Sequence, residues 1–432
     1  MRNRWVVGFI LWGVLLAGTT LAQESQAPLT LEESIKIALD RNLGLQITTA
    51  GVAGSEFRQK SALTQFFPTW TGQYGYVRYN DPFTISPGRL VEEANGIYTF
   101  STTVTQPLFS GGSISANYRS ESLGVDISKN NVETVRRNVV LQVRQGYFNI
   151  LAAQKALEVA AQSVKQFEAQ LDVSRAYFDV GIVAKNDVLQ AEVRLANAKQ
   201  AEVNADNLLA LAKSSFNTLL RREISAPLNI VDILTYQPSN YTLEGSVEEA
   251  LQRRPEIKAA ELTVEQAKQA VTIARSGYYP WVSLAGNYAK TADDSDLNGH
   301  WNERYTVQAL ATLAFSDWWR LGYKVGESKV RVTQAQEAKY QVVDNIILEV
   351  KQSFINMTQS EKNISVAQKS IEQAEENLRL EEERYKYQVS TQTDVLNAVT
   401  FLAQARLNYY GALSVYNIAK ASLERAMGRM YP

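Results

Sequence analysis

The chain has 432 residues with 44 Lys and Arg against 45 Asp and Glu, a formal charge of −1, one histidine and no cysteine. Such balance leaves no electrostatic footprint for nucleic acid, so no nucleic-acid partner is expected. The missing cysteines exclude disulfide staples, an acylated N-terminal cysteine and thiolate metal centres.

Residues 1–22 have the build of a secretory signal peptide. Arg2 and Arg4 precede an apolar run from Trp5 to Ala17, and Thr20 and Ala22 are small residues at the cleavage positions. That run is short for a membrane span of ~20 residues, so cleavage ahead of Gln23 is the reading. Two of the 44 basic residues leave with the leader, so 42 stand against 45 acidic ones and the mature charge is about −3. No later stretch holds 18 consecutive apolar residues, so a membrane role requires a closed β-barrel.

The mature chain contains itself twice. Thr30, Leu31, Glu32, Ser34, Ala38, Leu39 and Arg41 recur as Thr242, Leu243, Glu244, Ser246, Ala250, Leu251 and Arg253, an offset of 212. Asp187, Val188, Leu189 and Ala191 recur as Asp394, Val395, Leu396 and Ala398 at an offset of 207, the difference being a change in loop length. Repetition on this scale dictates architecture. It divides the chain into a first repeat at 23–222, an inter-repeat linker at 223–241 and a second repeat at 242–432.

Each repeat opens with a helix of about 30 residues, N-capped by Thr30 or Thr242. Glu33 completes a capping box in the first copy only, and Pro68 or Pro280 stops the helix. The period then changes from helical to alternating. Trp70, Gly72, Tyr74 and Tyr76 alternate with polar neighbours, as do Tyr98, Phe100, Thr102 and Val104. In the second copy Val282, Leu284, Gly286 and Tyr288 are followed by Tyr305, Val307, Ala309, Ala311 and Leu313. Polar loops at 80–96 and 291–304 join the strands of each pair. If the pairs belong to a membrane barrel, Tyr98, Phe100, Val104 and Leu313 are expected to face lipid.

Long helices follow, from about Gly112 to Phe178 and from about Gly322 to Tyr387, free of proline. At ~1.5 Å per residue each is about 100 Å long. Val143, Ile150, Leu157, Val164, Leu171 and Phe178 recur every seven residues, as do Val350, Met357, Ile364, Ile371, Leu378 and Tyr385. Sustained sevenfold spacing means supercoiled helices packed knobs into holes. A shorter alanine-rich helix completes each repeat, at about Lys185–Leu220 and Thr393–Met427. A non-conducting coiled-coil scaffold of the periplasm accounts for the heptads but not for the strand pairs. Two pairs cannot close a barrel, whereas three chains contribute twelve strands, an even number within the known range.

The order of these signals resembles the TolC family of outer-membrane efflux proteins over essentially the whole mature chain. The resemblance rests on Leu31-Glu32-x-Ser34 with Ala38-Leu39 and Arg41-Asn42, the Pro-Leu-Phe-Ser-Gly-Gly turn at 107–112, the tip from Gly181 to Asp187-Val188-Leu189, and the closing Leu423, Arg425, Ala426 and Gly428. It implies a mainly α fold with a transmembrane β-barrel: a homotrimer with four strands per chain in a twelve-stranded barrel, a coiled-coil periplasmic tunnel and an equatorial domain. The implied function is that of a passive exit duct of a tripartite efflux or type I secretion system, held in outer-membrane lipid of a Gram-negative-type cell. Implied partners are a periplasmic adaptor (membrane fusion) protein and an inner-membrane pump of RND, ABC or MFS type. No cofactor and no enzymatic activity are expected. His300 stands beside Trp301 in an outer loop, and no phosphate loop or catalytic triad is visible.

The same resemblance places the periplasmic entrance at the two helix tips, near Gly181 and Gln388. It assigns a latch to Asp187 and Tyr385, with the hydroxyl donating to the carboxylate. The family's arginine position is Ser390, its outer acidic ring is Asp394, and its second ring position is the uncharged Asn397. Local readings stand beside these assignments. Asp187 and Asp394 precede helices, where a carboxylate caps or meets a favourable dipole, and Tyr385 falls on the heptad seam. In a trimer, like charges around Asp394 are expected to raise its pKa.

Overall fold

The computed structural model describes residues 28–80, 96–292 and 302–430. The expected leader, most of the two outer loops, His300 and Trp301 lie outside the described residues. The first half contains α1 (Leu31–Arg41), α2 (Leu43–Thr64), β1 (Thr69–Arg78), β2 (Gly96–Phe109), α3 (Ser113–Asp179) and α4 (Lys185–Leu219). The second repeats that order as α5 (Leu243–Arg253), α6 (Pro255–Ser276), β3 (Trp281–Ala292), β4 (Asn302–Thr312), α7 (Trp318–Lys386) and α8 (Gln392–Ala426).

The single opening helix expected in each copy is in fact two. Asn42 is extended, with φ −64° and ψ 124°, and its side chain accepts the Leu45 N–H at 3.0 Å, so it caps the second helix. In the other copy Arg254 is extended with ψ 120° because Pro255 follows it, and proline disfavours helical geometry in the preceding residue. Thr30 does cap α1 with the reciprocal Glu33 contact, and Thr242 accepts from the Gly245 N–H. Neither Pro68 nor Pro280 is the helix stop: α2 and α6 end four residues earlier and a short turn intervenes.

The long helices run for 67 and 69 residues, about 100 Å each. Along the seam Val143, Ile150, Val164 and Leu171 are buried, as are Val350, Met357, Ile364, Leu378 and Tyr385. Phe178, at the tip, is 42% exposed. Helix α3 packs against α4 and α8, and α8 against α3 and α7. Ala191, Ala198 and Ala205 form the buried stripe of α4, where small side chains let the helices approach closely.

The largest apolar cluster lies around the middle of the bundle. It joins Tyr147, Phe148, Ile150 and Leu151 of α3 to Leu228, Ile230 and Leu234 of the inter-repeat segment and to Tyr416 and Leu423 of α8. Two tyrosine hydroxyls in it are paired with backbone carbonyls. The Tyr147 hydroxyl donates to the carbonyls of Leu29 (3.1 Å) and Val231 (2.7 Å), and the Tyr416 hydroxyl to the carbonyl of Gln237 (2.8 Å). Beside it the buried Arg254 binds Glu256 at 2.9 Å and Glu349 at 3.0 Å, and donates to the Ala426 carbonyl at 3.2 Å. Arg425 binds the same Glu349.

The four strands make one antiparallel sheet in the order β1-β2-β3-β4, so β1 and β4 are its edges. The register pairs Tyr76 with Tyr98, Tyr74 with Phe100 and Trp70 with Val104, then Val104 with Gly286 and Thr102 with Tyr288, then Tyr288 with Tyr305 and Gly286 with Val307. Because side chains alternate along a strand, all of these share one face. The other face carries Thr71, Gln73, Thr99, Ser101, Thr103, Asn287, Thr306 and Gln308. Tyr98, Phe100 and Val104 thus lie together on the aromatic face. Leu313 does not belong to a strand: β4 ends at Thr312, and the chain turns into a 3-10 segment at Phe315–Asp317.

Candidate functional site

The two helix tips close by the same backbone device. After α3 the Gly181 backbone is left-handed, with φ +78°, and Ile182 N–H donates to the Tyr177 carbonyl at 2.8 Å. After α7, Gln388 has φ +60° and Val389 N–H donates to the Arg384 carbonyl at 2.8 Å. A six-residue closure with a left-handed residue inside it is the Schellman motif, which favours glycine. The turns after α4 and α8 reverse the assignment, with Arg221 at φ 55° and Gly428 at φ 76°. Each repeat therefore spends one glycine and forces one side chain into the left-handed region.

Neither acid is an N-cap. Asp187 is the third residue of α4, behind Ala184, which makes no side-chain cap bond. Its charge there meets the helix dipole. Asp394 is the third residue of α8 and the reciprocal member of a capping box. Its carboxylate accepts the Thr391 N–H at 3.0 Å and hydroxyl at 2.7 Å, while its own N–H donates to the Thr391 hydroxyl at 3.3 Å. Those Thr391 bonds hold the Asp394 carboxyl below the ordinary carboxylate range. Within one chain the shift is thus opposite to that expected from a ring of like charges, because the local hydrogen bonds stabilise the anion.

Tyr385 is buried, 6% exposed, with its ring 5.6 Å from that of Tyr177. Burial pushes its hydroxyl pKa up and the charge of Asp187 adds to this, while nearby Ser174 pulls it back. The Tyr385 hydroxyl has no hydrogen bond of normal geometry, so the bond to Asp187 is not made within this chain. The Ser174 hydroxyl, Gln392 Nε2 and Glu381 Oε2 are equally buried and unpartnered, which concentrates unsatisfied polar atoms at the tips. Ser390, at the family's arginine position, donates to the Glu381 carbonyl at 3.3 Å.

Contacts between the two hairpins come, apart from Asn397, from residues that the sequence does not single out. Gln170 of α3 donates to the side chain of Gln392 at 2.8 Å, and both are buried. Thr393 of α8 donates to Gln190 of α4 at 2.8 Å, and Arg194 donates to Asn397 Oδ1 at 3.0 Å. Asn397 is therefore a hydrogen-bond acceptor for an arginine of the other repeat. Among the described residues no group of three or more His, Asp or Glu is placed to hold a metal ion, and no helix is long and apolar enough to cross a membrane.

The sequence profile described as "Outer membrane efflux protein" matches residues 34–220 and 246–429. The chain is similar to TolC of Escherichia coli, 23% identical over 366 residues that cover 81% of this chain and 73% of the relative. Outer membrane efflux protein BepC of Brucella suis is 21% identical over 96% of this chain and 89% of its own. TolC of Vibrio cholerae is 28% identical over 167 residues, but the match spans only 38% of either chain. In structure, the CmeC outer membrane channel of Campylobacter jejuni superposes with a TM-score of 0.80 at 16% identity, covering 99% of this chain and 94% of that one. VceC of Vibrio cholerae does so at 0.80 and 16%, covering 93% and 97%. Both halves of the chain match one profile, and the sheet with its two long hairpins superposes on outer-membrane channels from end to end; the chain belongs to the outer membrane efflux protein family.

Proposed function

We propose that this chain is the passive outer-membrane exit duct of a tripartite export system, working as a trimer with a periplasmic adaptor and an inner-membrane pump. One observation carries the reading: an open sheet with an aromatic face and a polar face is continuous with helices about 100 Å long. The strands have 10 to 14 residues, enough to cross a bilayer when tilted. Alone, the sheet leaves two edges unpaired, which hydrocarbon does not tolerate. Three copies joined β1 to β4 give twelve strands and no edge, with Phe100, Tyr288 and Val307 toward lipid and Thr103, Asn287 and Gln308 toward the lumen. Exposed Tyr279, Trp281, Phe315, Trp318 and Trp319 gather at the helix-side end of the strands, where a barrel places its aromatic girdle.

In this trimer the repeat at 23–222 supplies one helical hairpin and the repeat at 242–432 the other, and 223–241 contributes to the equatorial belt. The Asp187–Tyr385 bond forms when the tips close against neighbouring copies, which also covers the unpartnered tip atoms. Detergent-extracted protein is expected to run as a trimer and to conduct ions in planar bilayers. A monomeric or non-conducting rod would instead support the scaffold reading.

A further inference from the structure

We propose that Arg194 sets the charge preference of the periplasmic entrance, acting as a cationic collar one helical turn inward from the acidic collar of Asp394. The proposal rests on the duct reading above. Its geometry comes from two successive rungs between α4 and α8. Thr393 holds Gln190 at 2.8 Å, and Asn397 holds Arg194 at 3.0 Å. The rungs are four residues apart on both helices, about 6 Å along the axis, so the Arg194 side chain is fixed in height relative to Asp394.

The charge on that side chain is uncompensated. Its acceptor is a neutral amide, and among the described residues no carboxylate forms an ion pair with Arg194, whereas nearby Arg175 pairs with Glu192 and Arg384 with Glu381, each at 2.8 Å. Asp394 takes its hydrogen bonds from the neutral Thr391, and Arg384 acts on it only as a more distant charge, without an ion pair. Among the described residues each chain thus presents Asp394 near the mouth and Arg194 about a turn deeper, neither of them in an ion pair. Both reach water. Arg194 and Asn397 are half-buried, and Asp394, Gln404 and Asn408 are exposed, the last two joined by a 2.9 Å hydrogen bond. Residues 394, 397, 404 and 408 fall on one face of α8, which the exposed Phe401 shares, and in the proposed trimer this face lines the passage. A ring of carboxylates favours cations and a ring of guanidinium groups favours anions. Placed in series, the two rings oppose each other, and anionic solutes pass an entrance that acid alone would close to them.

The test is the reversal potential of the full-length trimer in planar bilayers under a KCl gradient. Removing the positive charge in Arg194→Gln, or adding a negative one beside it in Asn397→Asp, makes the collar more negative by three charges per trimer. Both should shift the reversal potential in the cation-selective direction. Arg194→Lys should leave it in place, and Asp394→Asn should move it the opposite way. Asn397→Asp keeps the α4–α8 rung, so it carries the test if Arg194→Gln fails to assemble. Unchanged potentials in Arg194→Gln and Asn397→Asp, or a shift in Arg194→Lys as large as in Arg194→Gln, would overturn the role of Arg194 while leaving the duct intact. A wild-type protein that does not conduct would remove the duct and the collar together.

Discussion

Replacing Gln388 by glycine should stabilise the tip of the second hairpin by about 1 kcal/mol, the cost of holding a side-chain-bearing residue in the left-handed region. The duplication supplies the control. Gly181 occupies the equivalent turn at φ +78°, and a Cβ built there meets nothing within 4 Å, so Gly181→Gln should cost the same amount through backbone geometry alone. Gly428→Gln should cost more, because its Cβ would lie 3.1 Å from the Arg253 backbone. Amide hydrogen exchange reads the effect locally at the N–H groups that close each turn. With 1 kcal/mol worth about a fivefold change in an equilibrium, protection at Val389 should rise about fivefold in Gln388→Gly. Protection at Ile182 should fall by a similar factor in Gly181→Gln. Lower protection at Val389 in Gln388→Gly would mean that the glutamine side chain holds the turn, and would refute the reasoning.

Phe100→Arg should cost about 2 to 4 kcal/mol in barrel stability if it sits near the bilayer midplane, whereas Thr103→Arg on the polar face should leave the trimer intact; recovery of folded trimer from membranes distinguishes them. Tyr385→Phe removes a buried hydroxyl with no partner, relieving a burden of about 1 to 3 kcal/mol in the unlatched arrangement and deleting the latch of the closed one. Resting single-channel conductance should therefore rise, and an unchanged conductance would confine Tyr385 to packing. Asp394 has a pKa below its unfolded value of about 3.9, so its support of the α8 N-terminus is present above that value and lost as pH falls through the folded one. Exchange at the Val395 amide should accelerate over that acid range relative to mid-helix amides, and Thr391→Ala should abolish the difference.

The elements that sequence made legible are those governed by a period. The absence of proline and near absence of glycine placed α3 and α7 within a few residues of their ends, sevenfold spacing gave their buried seam, and alternation found all four strands and the shared face of Tyr98, Phe100 and Val104. The break at Asn42 was missed because it depends on one side chain accepting one backbone N–H. The break at Arg254 was in principle readable from Pro255. At the tips, the Thr391-x-x-Asp394 pattern carried the true cap, one box earlier than the acid itself. The contacts between hairpins were not readable at all. Arg194 and Asn397 occupy unlike places in the two repeats, so neither internal alignment nor helical spacing brings them together.

The unpaired rims of β1 and β4 bear on how such a duct is born. Each exposes a row of backbone donors and acceptors, and each such group costs several kcal/mol if left bare in hydrocarbon. In the proposed trimer a lone chain therefore cannot enter the bilayer first and seek companions later; entry and association are one step whose rate rises steeply with chain concentration. The same molecularity makes edge defects contagious. Where normal chains and chains with a spoiled β4 are made in equal amounts and mix freely, about one-eighth of rings escape the defect, so a single bad seam silences most of the good subunits around it.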